Sequence, residues 1–185
     1  MRKFFTILLF SLMLMQWSCE KPFDPFVIGP KNIGYLTDST RVKELPEVFI
    51  NDSVASYIGG DEFTGNINNI EVYDSEGKKL LILTPVEALD STSTIRTVRL
   101  VDPRYHSAKG ITISSAFGEV KAKYKISGIQ NTLQNIIVSI DEINAYFTID
   151  KSELPENMRY DINMKIDPVQ IPDKAKIKDF FIQWY

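Results

Sequence analysis

Cysteine and histidine are nearly absent from this chain of 185 residues, which contains one of each, Cys19 and His106. A single cysteine cannot form an intramolecular disulfide, so the folded domain must be stabilised by packing. The sequence also lacks an H-E-x-x-H pair, a cysteine cluster, calcium-loop spacing of its acidic residues, and glycine-rich phosphate-binding motifs. We therefore predict neither a metal site nor a cofactor.

An excess of basic residues is missing as well. The formal net charge is -3, with 21 Lys and Arg against 24 Asp and Glu. A nucleic-acid-binding surface normally requires a basic patch or stripe, so we predict no nucleic-acid partner.

The longest apolar run, residues 4–15, is shorter than the roughly 20 residues that a membrane-spanning helix needs. Arg2 and Lys3 precede this run, and Gln16-Trp17-Ser18 follow it. A positive start, a short apolar stretch and a small residue at the end are typical of an export signal. We predict that residues 1–18 are a lipoprotein signal peptide, because Cys19 follows immediately.

A cysteine directly after a small residue at the end of such a run resembles a bacterial lipobox. With Gln16 and Trp17 in place of the usual residues, it is similar to the loose lipoboxes of Bacteroidota lipoproteins. The resemblance implies that Cys19 becomes the first mature residue and carries acyl chains such as palmitate. It also implies an outer-membrane lipoprotein on the periplasmic or the cell-surface face. The alternative is a secreted protein with a stray cysteine.

The residues that follow Cys19 are rich in proline, so we predict an extended tether over residues 19–32. Beyond it, residues 33–45 and 109–124 share a glycine, a hydroxyl pair and apolar residues every three or four positions. This spacing predicts one amphipathic helix in each stretch.

Residues 69–84 align without a gap on residues 135–150, and both stretches have the alternation of a β-hairpin. A further strand is predicted after each, ending at Asp102-Pro103 and Asp167-Pro168. The sequence thus predicts an α+β fold: two repeats, residues 33–104 and 105–185, each a helix with three or four antiparallel strands, forming a helix-on-sheet layer. The alternative is that the two units are similar without having arisen by duplication.

This topology resembles the tandem β-lactamase-inhibitor fold and the small outer-membrane assembly lipoproteins. In addition, residues 102–124 are similar to a stretch of uncharacterised bacterial envelope proteins, with matches at Ser107, Gly110, Ser115, Val120 and Tyr124. The resemblance implies a fold and an envelope address, without an activity.

No motif predicts a catalytic residue. His106 could be combined with Asp102 or Asp167 and with Ser107 or Ser114, but no G-x-S-x-G elbow presents a nucleophile. The polar residues around His106 instead predict a solvated loop.

Two features indicate a binding surface. The first is a glycine-containing loop over residues 56–68, with Tyr57, Gly59, Gly60 and Phe63 as candidate contacts, although a flexible insertion is the alternative. The second is the C-terminal strand, whose predicted outer face presents Phe181 and Tyr185 while Phe180, Ile182 and Trp184 face the core.

These observations predict a membrane-anchored binding module whose partners are the membrane, through Cys19, and another envelope protein. Inhibition of a host or rival enzyme is one alternative, suggested by the fold resemblance. A small envelope hydrolase with scattered carboxylates is the other.

Overall fold

The computed structural model describes residues 22–59 and 67–185, so the predicted signal peptide, Cys19, Gly60 and Phe63 lie outside the described residues. The described chain forms two sheets and is mostly β-structure. The eight-stranded sheet contains β4 (Ser53–Gly59), β5 (Ile67–Tyr73), β6 (Lys79–Pro85), β7 (Ile95–Leu100), β9 (Gly128–Asn131), β10 (Asn135–Ile140), β11 (Ala145–Asp150) and β12 (Asp179–Gln183). The four-stranded sheet contains β1 (Val27–Ile28), β2 (Asn32–Ile33), β3 (Leu36–Thr37) and β8 (His106–Ser107).

The eight-stranded sheet is antiparallel throughout, in the order β4-β5-β6-β7-β12-β11-β10-β9. The C-terminal strand β12 therefore lies between β7 and β11 and joins two meanders, one of four strands (β4–β7) and one of three (β9–β11). The small sheet has the order β3-β2-β1-β8, with β1 and β8 parallel.

One face of the large sheet is buried, because apolar residues occupy every second position of its strands. The fully buried positions on that face are Ile70, Val72, Leu81, Leu83, Val98, Leu100, Ile136, Val138, Ile140, Phe147, Ile149, Phe180 and Ile182. The predicted inward orientation of Phe180, Ile182 and Trp184 is confirmed.

The two predicted hairpins are also confirmed, as β5–β6 and β10–β11. In the first turn Gly77 has φ 79°, and the Asp74 carboxylate accepts hydrogen bonds from the backbone N–H groups of Glu76 and Lys78. In the second, Asn144 adopts φ 50°, a conformation that asparagine tolerates better than most residues.

The predicted α+β class, with a helix-on-sheet layer in each of two repeats, is wrong. In the described part of the chain, one helix exceeds a single turn, α2 (Phe117–Lys123). The first predicted helix is reduced to a 3₁₀ turn (Val42–Glu44) and the four residues of α1 (Leu45–Val48). Both apolar patterns are too short to sustain a longer helix, since stable helices need many successive turns or extensive packing. The division of the chain near residue 104 is a separate prediction and stays one.

The strand predicted before Asp167-Pro168 is wrong as well. Residues 160–167 contain no strand, and the nearest element is a 3₁₀ helix (Pro168–Gln170). Asp161 and Asp167 explain the difference, because their carboxylates accept hydrogen bonds from the N–H groups of Asn163 and Val169. Such local bonds favour turns over a sheet ladder.

The segment predicted as a tether contributes to the fold from Phe26 onward. Ile28 is buried in the core, Phe26 packs against Tyr105, and β1 and β2 belong to the small sheet. Any free spacer after Cys19 is therefore limited to the residues that precede Phe26.

Candidate functional site

A pocket of about 370 Å³ lies where the small sheet and α1 approach the loop after β7. Its walls are largely apolar and include Phe26, Ile33, Phe49, Leu80 and Tyr105. A concave site with apolar walls and a few polar groups is the usual form of a small-ligand site.

The polar side of the pocket is a network of ion pairs around Asp102, whose side chain has 0% exposure. Arg104 donates to both Asp102 oxygens, from Nε at 3.0 Å and Nη2 at 3.1 Å, and Lys78 Nζ lies 2.7 Å from Oδ2. Arg104 Nη2 also donates to Asp74 Oδ2 at 2.9 Å. This network fixes the Arg104 guanidinium at the pocket wall, where it also lies 5.0 Å from the ring centre of Phe26.

The network shifts the pKa values of its carboxyl groups. Burial alone would raise the pKa of Asp102, but the hydrogen bonds from Arg104 and Lys78 outweigh burial and hold the pKa at about 2. Hydrogen bonds from the Lys78 backbone and from Arg104 lower the pKa of Asp74. Both groups are therefore ionised at neutral pH.

Asp52 is the exception in this pocket. Burial and the negative charge of Asp74 raise the pKa of Asp52, although the charge of Arg104 partly opposes them. Among the side chains of residues 22–56 and 68–185, none makes a hydrogen bond or an ion pair with its carboxylate. Asp52 thus offers a bound molecule a carboxylate that the ion-pair network does not use.

Three exposed side chains lie at or next to the pocket, and we call them the rim: Tyr35 and Ile50, which line it, and Phe23, which packs against Tyr35. The rings of Phe23 and Tyr35 are 4.3 Å apart, and Tyr35 and Ile50 line both the pocket and a neighbouring depression. Their exposed fractions are 56%, 65% and 80%.

His106 does not assemble a catalytic triad. Its Nδ1 lies 2.9 Å from the carbonyl oxygen of Arg104 and its Nε2 lies 3.5 Å from Asp24 Oδ2. Ser107 Oγ instead accepts a hydrogen bond from the N–H of Ile111, and Asp102 is engaged by Arg104 and Lys78. The residue also belongs to β8 and is only partly exposed, so the predicted solvated loop is wrong for His106 itself.

The residues predicted as a binding surface do not form one group. Tyr57 and Gly59 lie in β4, not in a loop, whereas Phe181 lies in β12, three intervening strands away in the sheet. Phe181 stacks on Tyr146 with a ring-centre distance of 4.6 Å, and Tyr185 is fully exposed. Their role in binding stays a prediction.

The sequence reasoning missed the pocket altogether. No local sequence pattern marks Asp52 as a polar group of a site, because its neighbours in the pocket come from four distant segments of the chain. One signal was available: Phe23 and Phe26 lie in the proline-rich segment, and aromatic residues are uncommon in a free tether.

The described residues contain no cluster of three or more His, Cys, Asp or Glu side chains that could hold a metal ion. In the same part of the chain, no helix has the length and apolar character required to cross a bilayer.

No protein-family model matches the sequence, and no curated protein matches it significantly. Among solved structures, the fold is similar to the uncharacterised protein yfeY from Escherichia coli, with a TM-score of 0.58 and 12% sequence identity. The match covers 85% of this chain and 99% of that chain. At this identity the likeness shows the fold alone.

Proposed function

We propose that this protein is an outer-membrane lipoprotein, anchored through acyl chains on Cys19, whose domain binds a molecule or partner side chain in the Asp52 pocket. The bound group has an apolar body and a positively charged end. The observation that carries the proposal is the carboxylate of Asp52, which lies beside apolar walls and has no partner among the described side chains. Two or more acyl chains provide the stable anchoring that a single chain does not.

The charges of the pocket support a cationic end. Asp74 and Asp102 are matched by Arg104 and Lys78 in the ion-pair network. Asp52 has no ion-pair partner of its own among the described side chains, so its negative charge is available to a bound cation. A charge-assisted hydrogen bond to that carboxylate contributes roughly 1.5–3 kcal/mol.

Two carboxylates in one pocket are also what a hydrolase would present, but their geometry supports binding. Asp74 Oδ1 accepts from the N–H groups of Glu76 and Lys78, and its Oδ2 accepts from Arg104. Both oxygens are therefore committed to the turn and to the network. General acid and base catalysis would need a second carboxylate that is free to exchange protons.

The pocket is tested by titrating the soluble Cys19→Ala protein with phenethylamine and, separately, with 3-phenylpropionate, while NMR monitors the backbone amides that line the pocket. The two probes have the same apolar body and opposite charges. We expect the amine to bind about tenfold more tightly, a difference of about 1.4 kcal/mol. Asp52→Asn should remove this preference. Equal binding of the two probes, or stronger binding of the carboxylate, would refute the pocket assignment.

The anchor has its own test, which is metabolic labelling of the producing bacterium with an alkyne analogue of palmitate. The wild-type protein should carry the label and the Cys19→Ala variant should not. If the wild-type protein remains unlabelled, Cys19 is not an acylation site.

A further inference from the structure

We propose that the rim, Phe23, Tyr35 and Ile50, rests on the lipid bilayer, so that the pocket opens at the membrane surface. This inference rests on the proposed attachment at Cys19. It goes beyond that attachment because it assigns a second, non-covalent membrane contact and an orientation to the folded domain.

The length of chain between the anchor and the rim is the first argument. Phe23 follows Cys19 by four residues. Four residues of extended chain span at most about 14 Å. A membrane-bound Cys19 thus keeps Phe23 within that distance of the lipid headgroups, and Tyr35 lies next to Phe23, with 4.3 Å between the ring centres.

The chemistry of the rim is the second argument. Phenylalanine and isoleucine offer exposed apolar surface, and tyrosine combines an apolar ring with a polar hydroxyl that suits the headgroup region. Burying exposed apolar surface contributes about 25 cal/mol per Å², and this gain adds to the covalent anchor without a further loss of translational freedom.

The attachment of the rim to the domain is the third argument. Gly34 has φ 55°, and a Cβ at that position would lie 2.0 Å from the carbonyl oxygen of Pro25. The backbone at Gly34 therefore packs directly against the backbone at Pro25, next to the contact between Phe23 and Tyr35. Phe26 packs against Tyr105 and Ile28 is buried, so the rim is held by the core and its position determines the orientation of the domain.

The charges around the rim specify the kind of lipid. Glu44 and Glu47 line the depression next to Tyr35 and Ile50. Carboxylates at an anionic surface would be repelled, so zwitterionic headgroups such as phosphatidylcholine suit this rim better than anionic ones.

Tryptophan fluorescence provides the test. The chain that begins at Cys19 is coupled through this thiol, its only one, to a maleimide lipid in phosphatidylcholine vesicles that contain bromine-labelled acyl chains. The coupling supplies an anchor whether or not the bacterium acylates Cys19. Failure of the palmitate labelling and failure of the rim contact are therefore distinguished.

Tyr35→Trp reports on the rim, and Leu133→Trp, at a position with 79% exposure in the turn between β9 and β10, is the matched control. The native Trp184 is buried and adds the same background to both. We expect the bromolipid to quench the Tyr35→Trp signal at least twofold more than the Leu133→Trp signal. Adding Phe23→Ser and Ile50→Ser to Tyr35→Trp should reduce quenching to the control level.

Equal quenching at the two positions would overturn the proposal. A Tyr35→Trp signal that is shielded from aqueous iodide but insensitive to bromolipid, and that depends on protein density, would also overturn it and would indicate a second copy of the chain on the rim. The serine substitutions lie on exposed side chains, so an unchanged thermal unfolding midpoint is expected and confirms that the variants are folded.

Discussion

Asp102 combines complete burial with ionisation, which is costly unless the charge is compensated. Three donor groups of Arg104 and the ammonium of Lys78 surround it, and its backbone N–H and that of Val101 both donate to the Leu80 carbonyl. The backbone bonds thus tie the loop after β7 to β6, and the carboxylate ties it to Lys78 in the turn before β6. Removing one partner of such a group leaves the others without compensation.

The free energy of unfolding should fall in acid because the carboxylate of Asp102 becomes protonated. The pKa of Asp102 in the folded protein is about 2, below the ordinary 3.8, so the ionised form favours folding. This contribution is fully present above about pH 4 and is lost as the pH falls to about 2; it amounts to about 2 kcal/mol. Urea titrations between pH 5 and pH 2 measure it as a decline in the free energy of unfolding, which should be smaller in Asp102→Asn.

At neutral pH, Asp102→Asn should lower the free energy of unfolding by about 2–3 kcal/mol. The control is Asp173→Asn, which breaks an exposed pair with Lys121 and should cost less than about 1 kcal/mol. Equal losses in the two variants would show that burial does not increase the contribution of the Asp102 network to the free energy of unfolding.

Gly34 and Gly77 both have positive φ, but only Gly34 has a close neighbour. Gly77→Ala should cost about 1–2 kcal/mol from backbone strain alone, because nothing lies within 4 Å of the added Cβ. Gly34→Ala should cost clearly more, because the Pro25 carbonyl must also move. Urea unfolding compares the two variants directly, and a smaller loss for Gly34→Ala would contradict the close packing between Phe23 and Tyr35.

Among the strands, β12 has the central position, since it pairs with β7 on one side and with β11 on the other. Phe180 faces the core at 4.3 Å from Phe147, whereas Phe181 stacks on Tyr146 on the opposite face. Substituting these two neighbouring phenylalanines one at a time therefore distinguishes the contribution of core packing from that of surface packing.

Phe180→Ala should destabilise the protein by about 3–5 kcal/mol, because it leaves a cavity at the junction of the two meanders. Phe181→Ala removes only a partly exposed stacking contact and should cost about 0.5–1.5 kcal/mol. Chemical denaturation of both variants tests this order. Equal losses of stability in the two variants would mean that packing on the buried face contributes no more to the sheet junction than the exposed stacking contact does.

Strands were easier to predict than helices in this chain. The hairpins follow from alternation and from turn residues such as Gly77, which are properties of short stretches. Leu45 and Phe49 have helical spacing, yet Pro46 and a short apolar pattern limit α1 to four residues. The alternation over residues 160–167 indicated a strand, but the side chains of Asp161 and Asp167 form turns instead.

The pocket could not be predicted because it depends on contacts between distant segments. It brings together residues near positions 25, 35, 50, 74 and 104, and no short pattern marks that assembly. The raised pKa of Asp52 likewise arises from burial and from Asp74, neither of which a linear sequence displays. The export signal predicted over residues 1–18 rests on a contiguous pattern of the sequence, and it stays a prediction.

The pH dependence of phenethylamine binding tests the pocket most directly, because the amine stays positively charged while Asp52 titrates. The affinity of the wild-type protein should fall between pH 7 and pH 4, as protonation neutralises a carboxylate whose pKa is raised; Asp74 stays ionised longer because its pKa is lowered. Asp52→Asn should bind weakly with little pH dependence over that range. A wild-type affinity that does not change with pH, or the same pH dependence in Asp52→Asn, would contradict the assignment of Asp52 as the ligand-binding carboxylate.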